Sequence, residues 1–104
     1  MPNNVIDLPI VTMTVGRKAV TTAGTQVILL TATVATELIV IKAMPTNTGL
    51  IYVGGSSVSS SNGFPLDPGE TLILAVDHVH APVWIDSAVS GESVAYIYGK
   101  KRSK

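Results

Sequence analysis

Short apolar runs alternate with turn-forming clusters along the whole chain, a spacing that leaves a helix little room. Over residues 10–18, Val11, Met13 and Val15 fall on one parity and Thr12, Thr14 and Gly16 on the other. That period of two, rich in β-branched residues, is the signature of a half-buried strand. Further strands are predicted over 25–31, 37–44, 50–53, 71–76, 79–86 and 93–98. Within 37–44, Ile39 and Ile41 share one side and Leu38 and Val40 the other; within 93–98, Val94, Tyr96 and Tyr98 oppose Ala95 and Ile97. Residues 27–43 also fit a helix by period alone, but their density of Thr, Val and Ile favours strands.

The punctuation between these runs is turn chemistry. Thr21-Thr22-Ala23-Gly24 and Ser90-Gly91 each turn the chain, and Asp67-Pro68-Gly69-Glu70 suits a type II turn, with Pro at its second position and Gly at its third. Pro45-Thr46-Asn47-Thr48-Gly49 predicts a hairpin between 37–44 and 50–53, since Asn and Gly tolerate positive φ. After Gly54 comes a serine-rich stretch closing on Asn62-Gly63, which has neither a helical nor a strand period; Gly55, Ser56, Ser57, Ser60 and Asn62 are its expected exposed residues. Pro82 argues against one unbroken strand over 79–86, which would otherwise line His78, His80 and Trp84 along one face. The fold class is all-β, an antiparallel β-sandwich or small jelly roll of seven to eight strands. Residues 1–9, with Pro2 and Pro9, form an extended arm; 10–99 form the domain and 100–104 a basic tail.

Composition changes the picture in one respect. Charged residues are 13% of the 104, against roughly 25% in ordinary soluble domains, while 46% are hydrophobic. A small domain has much surface to cover, so scarce charge leaves apolar groups facing outward, and apolar patches mark interaction surfaces. Strands apolar on both faces carry the same message: something covers the second face. A formal net charge of zero argues against nucleic-acid binding, and Lys100-Lys101-Arg102-Ser103-Lys104 is the one charge run. The absence of cysteine excludes disulfides and thiolate metal sites. Apolar runs fall far short of a membrane span, and Met1-Pro2-Asn3-Asn4 opens no signal-peptide pattern, so synthesis in the cytoplasm is expected.

Candidate chemistry is thin. Asp77-His78-Val79-His80 offers a His-x-His with Asp86 or Glu70 as a carboxylate, but the glutamate and later histidine of a cupin metal site are missing. Gly54-Gly55-Ser56-Ser57 lacks the lysine and helix of a phosphate loop. Asp67, Glu70, Asp77, Asp86 and Glu92 would have to supply any carboxylate pair for glycoside hydrolysis. Trp84 with Tyr96 and Tyr98 is the one set of rings from which a carbohydrate platform could be built, and burial is the commoner use of such rings. No enzyme activity, cofactor or metal is expected.

The middle and end of the chain carry a resemblance. Ile-Lys-Ala-Met-Pro-Thr-Asn-Thr-Gly over 41–49, Ile51-Tyr52-Val53-Gly54, Gly69-Glu70, and Val83-Trp84-Ile85-Asp86 through Gly91-Glu92-Ser93-Val94-Ala95-Tyr96-Ile97-Tyr98 resemble small structural proteins encoded among the virion genes of tailed bacteriophages. The resemblance spans roughly 20–98 and implies a β-sandwich virion component that decorates or cements the capsid, with the major capsid protein or another virion protein as partner. A homo-oligomer is expected, with neither nucleic acid nor membrane bound. The expected partner contacts are Val5, Ile6 and Leu8 of the arm, with Tyr52, His78, His80, Trp84, Tyr96 and Tyr98. The alternative is a carbohydrate-binding or host-adhesion module of the virion, using Trp84 and the serine-rich loop.

Overall fold

The computed structural model describes residues 10–32, 36–76 and 81–101. Its strands are β1 (Ile10–Val20), β2 (Val27–Leu30), β3 (Leu38–Ala43), β4 (Ile51–Gly54), β5 (Phe64–Leu66), β6 (Thr71–Ala75), β7 (Val83–Ser87) and β8 (Glu92–Lys101). They form two antiparallel four-stranded sheets. The long sheet has the order β1-β8-β3-β6 and the short sheet β2-β7-β4-β5. The chain is thus a single long hairpin, folded over on itself, in which β1 pairs with β8, β2 with β7, β3 with β6 and β4 with β5. This is the winding of a jelly roll. The serine-rich loop between β4 and β5 is the tip of that hairpin.

Alternation decides what each strand buries. Ile39 and Ile41 of β3, Ile51 and Val53 of β4, Ile85 of β7 and Val94 of β8 form the sealed centre, with Leu72 and Leu74 of β6 packed on it. The predicted sidedness of 37–44 and 93–98 is what the structure has: Ile39, Ile41 and Val94 point in, with Tyr96 and Tyr98 half-buried against the same core. In β1 the alternation at 10–18 is present, with the glycine rather than the apolar parity turned inward. Val15 pairs with Ile97 and Gly16 with Tyr96, so Gly16 shares the inward side with the tyrosines while Met13 and Val15 stand outside. A Cβ at Gly16 would lie 2.6 Å from the outer end of the Tyr96 ring, which fills that space, so a larger residue there must displace the tyrosine. Such cross-strand covering of a strand glycine by an aromatic ring is a known stabilising device.

The connection at 45–49 is not a hairpin. β3 lies in the long sheet and β4 in the short one, and both edges of β3 are already filled by β8 and β6. The segment is a crossover between layers, and it uses Asn47 for its side chain rather than for positive φ. Asn47 Nδ2 donates to the Ser93 carbonyl (2.9 Å), and the Ser93 amide donates to Asn47 Oδ1 (3.2 Å), which extends the β3–β8 ladder past its last backbone pair. The turn at Asp67-Pro68-Gly69-Glu70 is as predicted. Gly69 has φ of 87°, and the Glu70 amide donates to the Asp67 carbonyl at 2.9 Å.

β5 is not among the predicted strands, and the start of β7 falls at the break that Pro82 predicts. β5 is a three-residue edge strand in which Pro65 lies opposite Tyr52, a position where a missing amide costs no pairing. β7 begins only at Val83, after Pro82. At the other end, β8 runs on through Lys100 and Lys101, so the long sheet takes in the first residues of the basic tail.

Candidate functional site

The two sheets treat their outer faces differently. On the short sheet that face carries Tyr52, Gly54, Trp84 and Asp86, and the chain covers it with its own loops. Val58 of the serine-rich loop is 4% exposed and sits on Gly54, while Gly63 packs against Tyr52 Cβ. Asn62 ties this loop together: its Oδ1 accepts from the Ser59 amide (2.8 Å) and its Nδ2 donates to the Ser57 carbonyl (3.2 Å). Gln26 of the β1–β2 loop donates to the Ser56 carbonyl, and Asp86 Oδ1 accepts from the Gly24 and Ser87 amides. The loop that had no strand or helix period is therefore a built cap, held by a buried valine and an asparagine bridge.

Gly63 makes this cap testable. A Cβ there would lie 2.5 Å from Tyr52 Cβ and 3.0 Å from the Ser59 carbonyl oxygen, neither of which is a movable side-chain tip. Gly63→Ala is expected to destabilise the fold by about 1–3 kcal/mol through overpacking, read from urea unfolding midpoints. A substitution at exposed Gly55, which meets nothing within 4 Å, should leave the midpoint unchanged.

The outer face of the long sheet has no such cover among the described residues. One row crosses all four strands: Val15 on β1 lies beside Ile97, Ile97 beside Val40, and Val40 beside Ile73 on β6. Every member is aliphatic, and the ends are the most exposed large hydrophobic residues of the described chain, Val15 at 69% and Ile73 at 65%. Met13, Leu38 and Ala75 make the next row, and Arg17, Ala95, Lys42 and Thr71 close the face on its other side. A shallow groove lined by Val15, Val40, Lys42, Ala95 and Ile97 runs between β1 and β3. Interaction surfaces have this composition, an apolar middle with cations at the rim.

A second apolar feature opens at one side of the sandwich, where β6 and β5 part. This hollow of about 520 Å³ is lined by Val53, Phe64, Leu72, Leu74, Val76 and Val83. The described side chains that line it are apolar.

Glu92, Asp67, Glu70 and Asp86 use their carboxylates or turn positions to hold the fold. Glu92, 8% exposed, accepts from the Thr48 amide and hydroxyl and from the Gly49 amide (2.9 Å), pinning the β3–β4 crossover to the start of β8. Burial pushes its carboxyl up, but the Thr48 and Gly49 donors outweigh burial and hold it below its ordinary value of 4.5. A depressed folded pKa means that the unfolded chain takes up the proton first. The stability from Glu92 is therefore complete above about pH 5 and is lost as pH falls through the folded value. Melting temperatures should drop on acidification below about pH 5, and Glu92→Gln should flatten that part of the profile. Asp67 and Glu70 sit in their turn, where Glu70 Oε1 accepts from the Asp67 amide at 2.7 Å. No group of three or more His, Asp or Glu that could hold a metal occurs among the described residues.

The residues expected to contact a partner are scattered by the fold. Tyr52 is buried under the loop cap, Tyr96 and Tyr98 stack with ring centroids 6.2 Å apart on the inner side of the long sheet, and Trp84 is half-buried on the outer side of the short one. Trp84 thus shares no face with Tyr96 and Tyr98, and the three form no common platform. Gly55, Ser56, Ser57, Ser60 and Asn62 are exposed. Val5, Ile6, Leu8, His78 and His80 lie outside the described residues. Met13, Val15, Val40, Ile73 and Ile97 were not singled out from sequence, although the two-sided apolar strands were the signal that pointed to them.

No family model and no curated protein matches the chain. Among solved structures, one from Bacillus endospore appendages, a family of disulfide-linked pili, is similar at 17% identity; the match covers 95% of this chain and all of that one, with a TM-score of 0.45.

Proposed function

We propose that this chain is a structural protein that works by burying the outer face of its long sheet against another protein, as a decoration protein on a bacteriophage capsid. One observation carries the reading: the Val15, Ile97, Val40, Ile73 row crosses the sheet with no cover among the described residues, while the chain's own loops close the opposite face. The resemblance of residues 20–98 to phage virion proteins supplies the finer identity, with a capsid subunit as the partner. Repeated over a symmetric shell, a modest contact gains through multivalency and stabilises the assembled state by mass action.

The test is recovery of the chain with intact phage heads at a fixed ratio to the repeating lattice positions. Recovery at a single vertex or on tails alone removes decoration and leaves a virion role; a chain never found in particles removes both. The carbohydrate-binding alternative has no exposed row of rings behind it among the described residues, because Tyr96 and Tyr98 face the core and Trp84 lies on the outer side of the other sheet.

A further inference from the structure

Among the described residues the two edges of the long sheet, β1 and β6, have no outer strand, and they match each other. Hydrogen-bond direction alternates along an antiparallel strand, so the bonds that are made show which groups are left over. The Ala43 amide donates to the Glu70 carbonyl and the Val76 amide to the Glu37 carbonyl, which directs the backbone of residues 70, 72, 74 and 76 toward β3. Thr71, Ile73 and Ala75 then point their amides and carbonyls away from the sheet. The same alternation runs through β3 and β8, where the Met44 amide donates to the Ser93 carbonyl, and reaches β1. There it leaves the backbone groups of Met13, Val15, Arg17 and Ala19 pointing outward. β1 and β6 run in opposite directions, because three antiparallel pairings separate them.

We infer that copies of this chain join head to tail, β6 of one pairing with β1 of the next, so that the long sheet runs on from copy to copy. Repeating the sheet sideways without shift sets Ile73 opposite Val15 of the next copy, Ala75 opposite Met13 and Thr71 opposite Arg17. In this register the free backbone groups of both edges meet, and the aliphatic row continues unbroken across the joint. The two most exposed aliphatic residues of the described chain, Ile73 and Val15, cover each other.

Charge agrees with the register. Lys18 lies level with Val94, Val94 with Ala43, and Ala43 with Glu70, so the basic Arg17-Lys18 end of β1 stands at the same height as the acidic Asp67 to Glu70 turn before β6. A two-fold pairing of β1 with β1 would instead bring basic residues into one ladder from both sides and leave Ile73 and its edge unused. The short sheet is blunted at the corresponding edge by Pro65 and the brevity of β5, so the joint belongs to the long sheet. An interface between two different patches gives a ring where the rotation closes and a filament where it does not.

This inference rests on the sheet edges and is independent of what the outer face docks on. Proline distinguishes it from other modes of association, because at Val15 or Ile73 it removes an amide that no described residue of the monomer accepts from. Sedimentation of the full chain should show species larger than the monomer that grow with concentration. Val15→Pro alone and Ile73→Pro alone should each sediment as monomers with circular dichroism unchanged. Mixed, they should form a dimer, since one retains its β6 edge and the other its β1 edge. Charge reversal gives a second reading without proline: Asp67→Lys with Glu70→Lys should lose association, and adding Arg17→Glu with Lys18→Glu should restore it. A wild-type chain that stays monomeric at every concentration overturns the inference, as does an Ile73→Pro variant that still dimerises by itself.

Discussion

Glu92→Ala is expected to lower unfolding stability by about 2–4 kcal/mol, because it leaves a hydroxyl and two backbone amides at the crossover without their acceptor. The Thr48 amide and hydroxyl and the Gly49 amide all converge on this one carboxylate. Beside it, Asn47 makes its paired bonds to Ser93. The crossover therefore hangs on β8 through side chains, with no sheet ladder of its own. A domain of this size has a total stability of order 5–15 kcal/mol, so the loss is a large fraction of it. Chemical denaturation at about pH 7 measures the effect, and Glu92→Gln, which keeps one acceptor oxygen, should lose less than Glu92→Ala. Equal losses in the two variants would show that the carboxylate acts by filling space alone.

Val40→Glu is expected to leave the fold in place and to weaken attachment to the partner by about 2–4 kcal/mol, roughly 30- to 1000-fold in affinity. Val40 is half-buried at the middle of the outer row, with Lys42 two residues along on the same face. The free protein can hydrate the new carboxylate, so its melting temperature should scarcely move. In the docked state the same carboxylate would be buried in an apolar contact. Binding of the variant to phage heads, measured by co-sedimentation, checks this. Ser57→Glu in the exposed loop cap is the control and should bind as the parent does.

The strand pattern was legible because it is local. Thr, Val and Ile at period two mark strands, and Asp67-Pro68-Gly69-Glu70 specifies its turn in four residues. Partner choice is not local. Asn47 and Gly49 carry hairpin chemistry, yet β3 takes β6 and β8 as neighbours, so the same residues serve a crossover. β5 went unread because it is three residues long and has Pro65 at its centre. Alternation divides β1 into two faces without saying which one is inside. Tyr96 and Tyr98, reaching over Gly16 and Thr14, settle that by filling the inner side with rings carried on β8. This is also why the site was read only in outline. Scarce charge and two-sided strands predict a covered second face, whereas its location on the long sheet follows from the loop cap, and that cap depends on Val58 and Asn62 within an otherwise featureless serine run.

The central claim is that the outer face of the long sheet is the surface buried in the native assembly. Hydroxyl-radical footprinting of the free chain and of the particle that carries it reads this residue by residue. Met13, Val15 and Ile73 should label readily in the free chain at dilutions where it is monomeric and be strongly protected in the particle, while Val89, exposed outside the sheets, keeps its rate. Unchanged labelling of Met13, Val15 and Ile73 in the particle, with protection falling instead on the serine-rich loop, would contradict the claim.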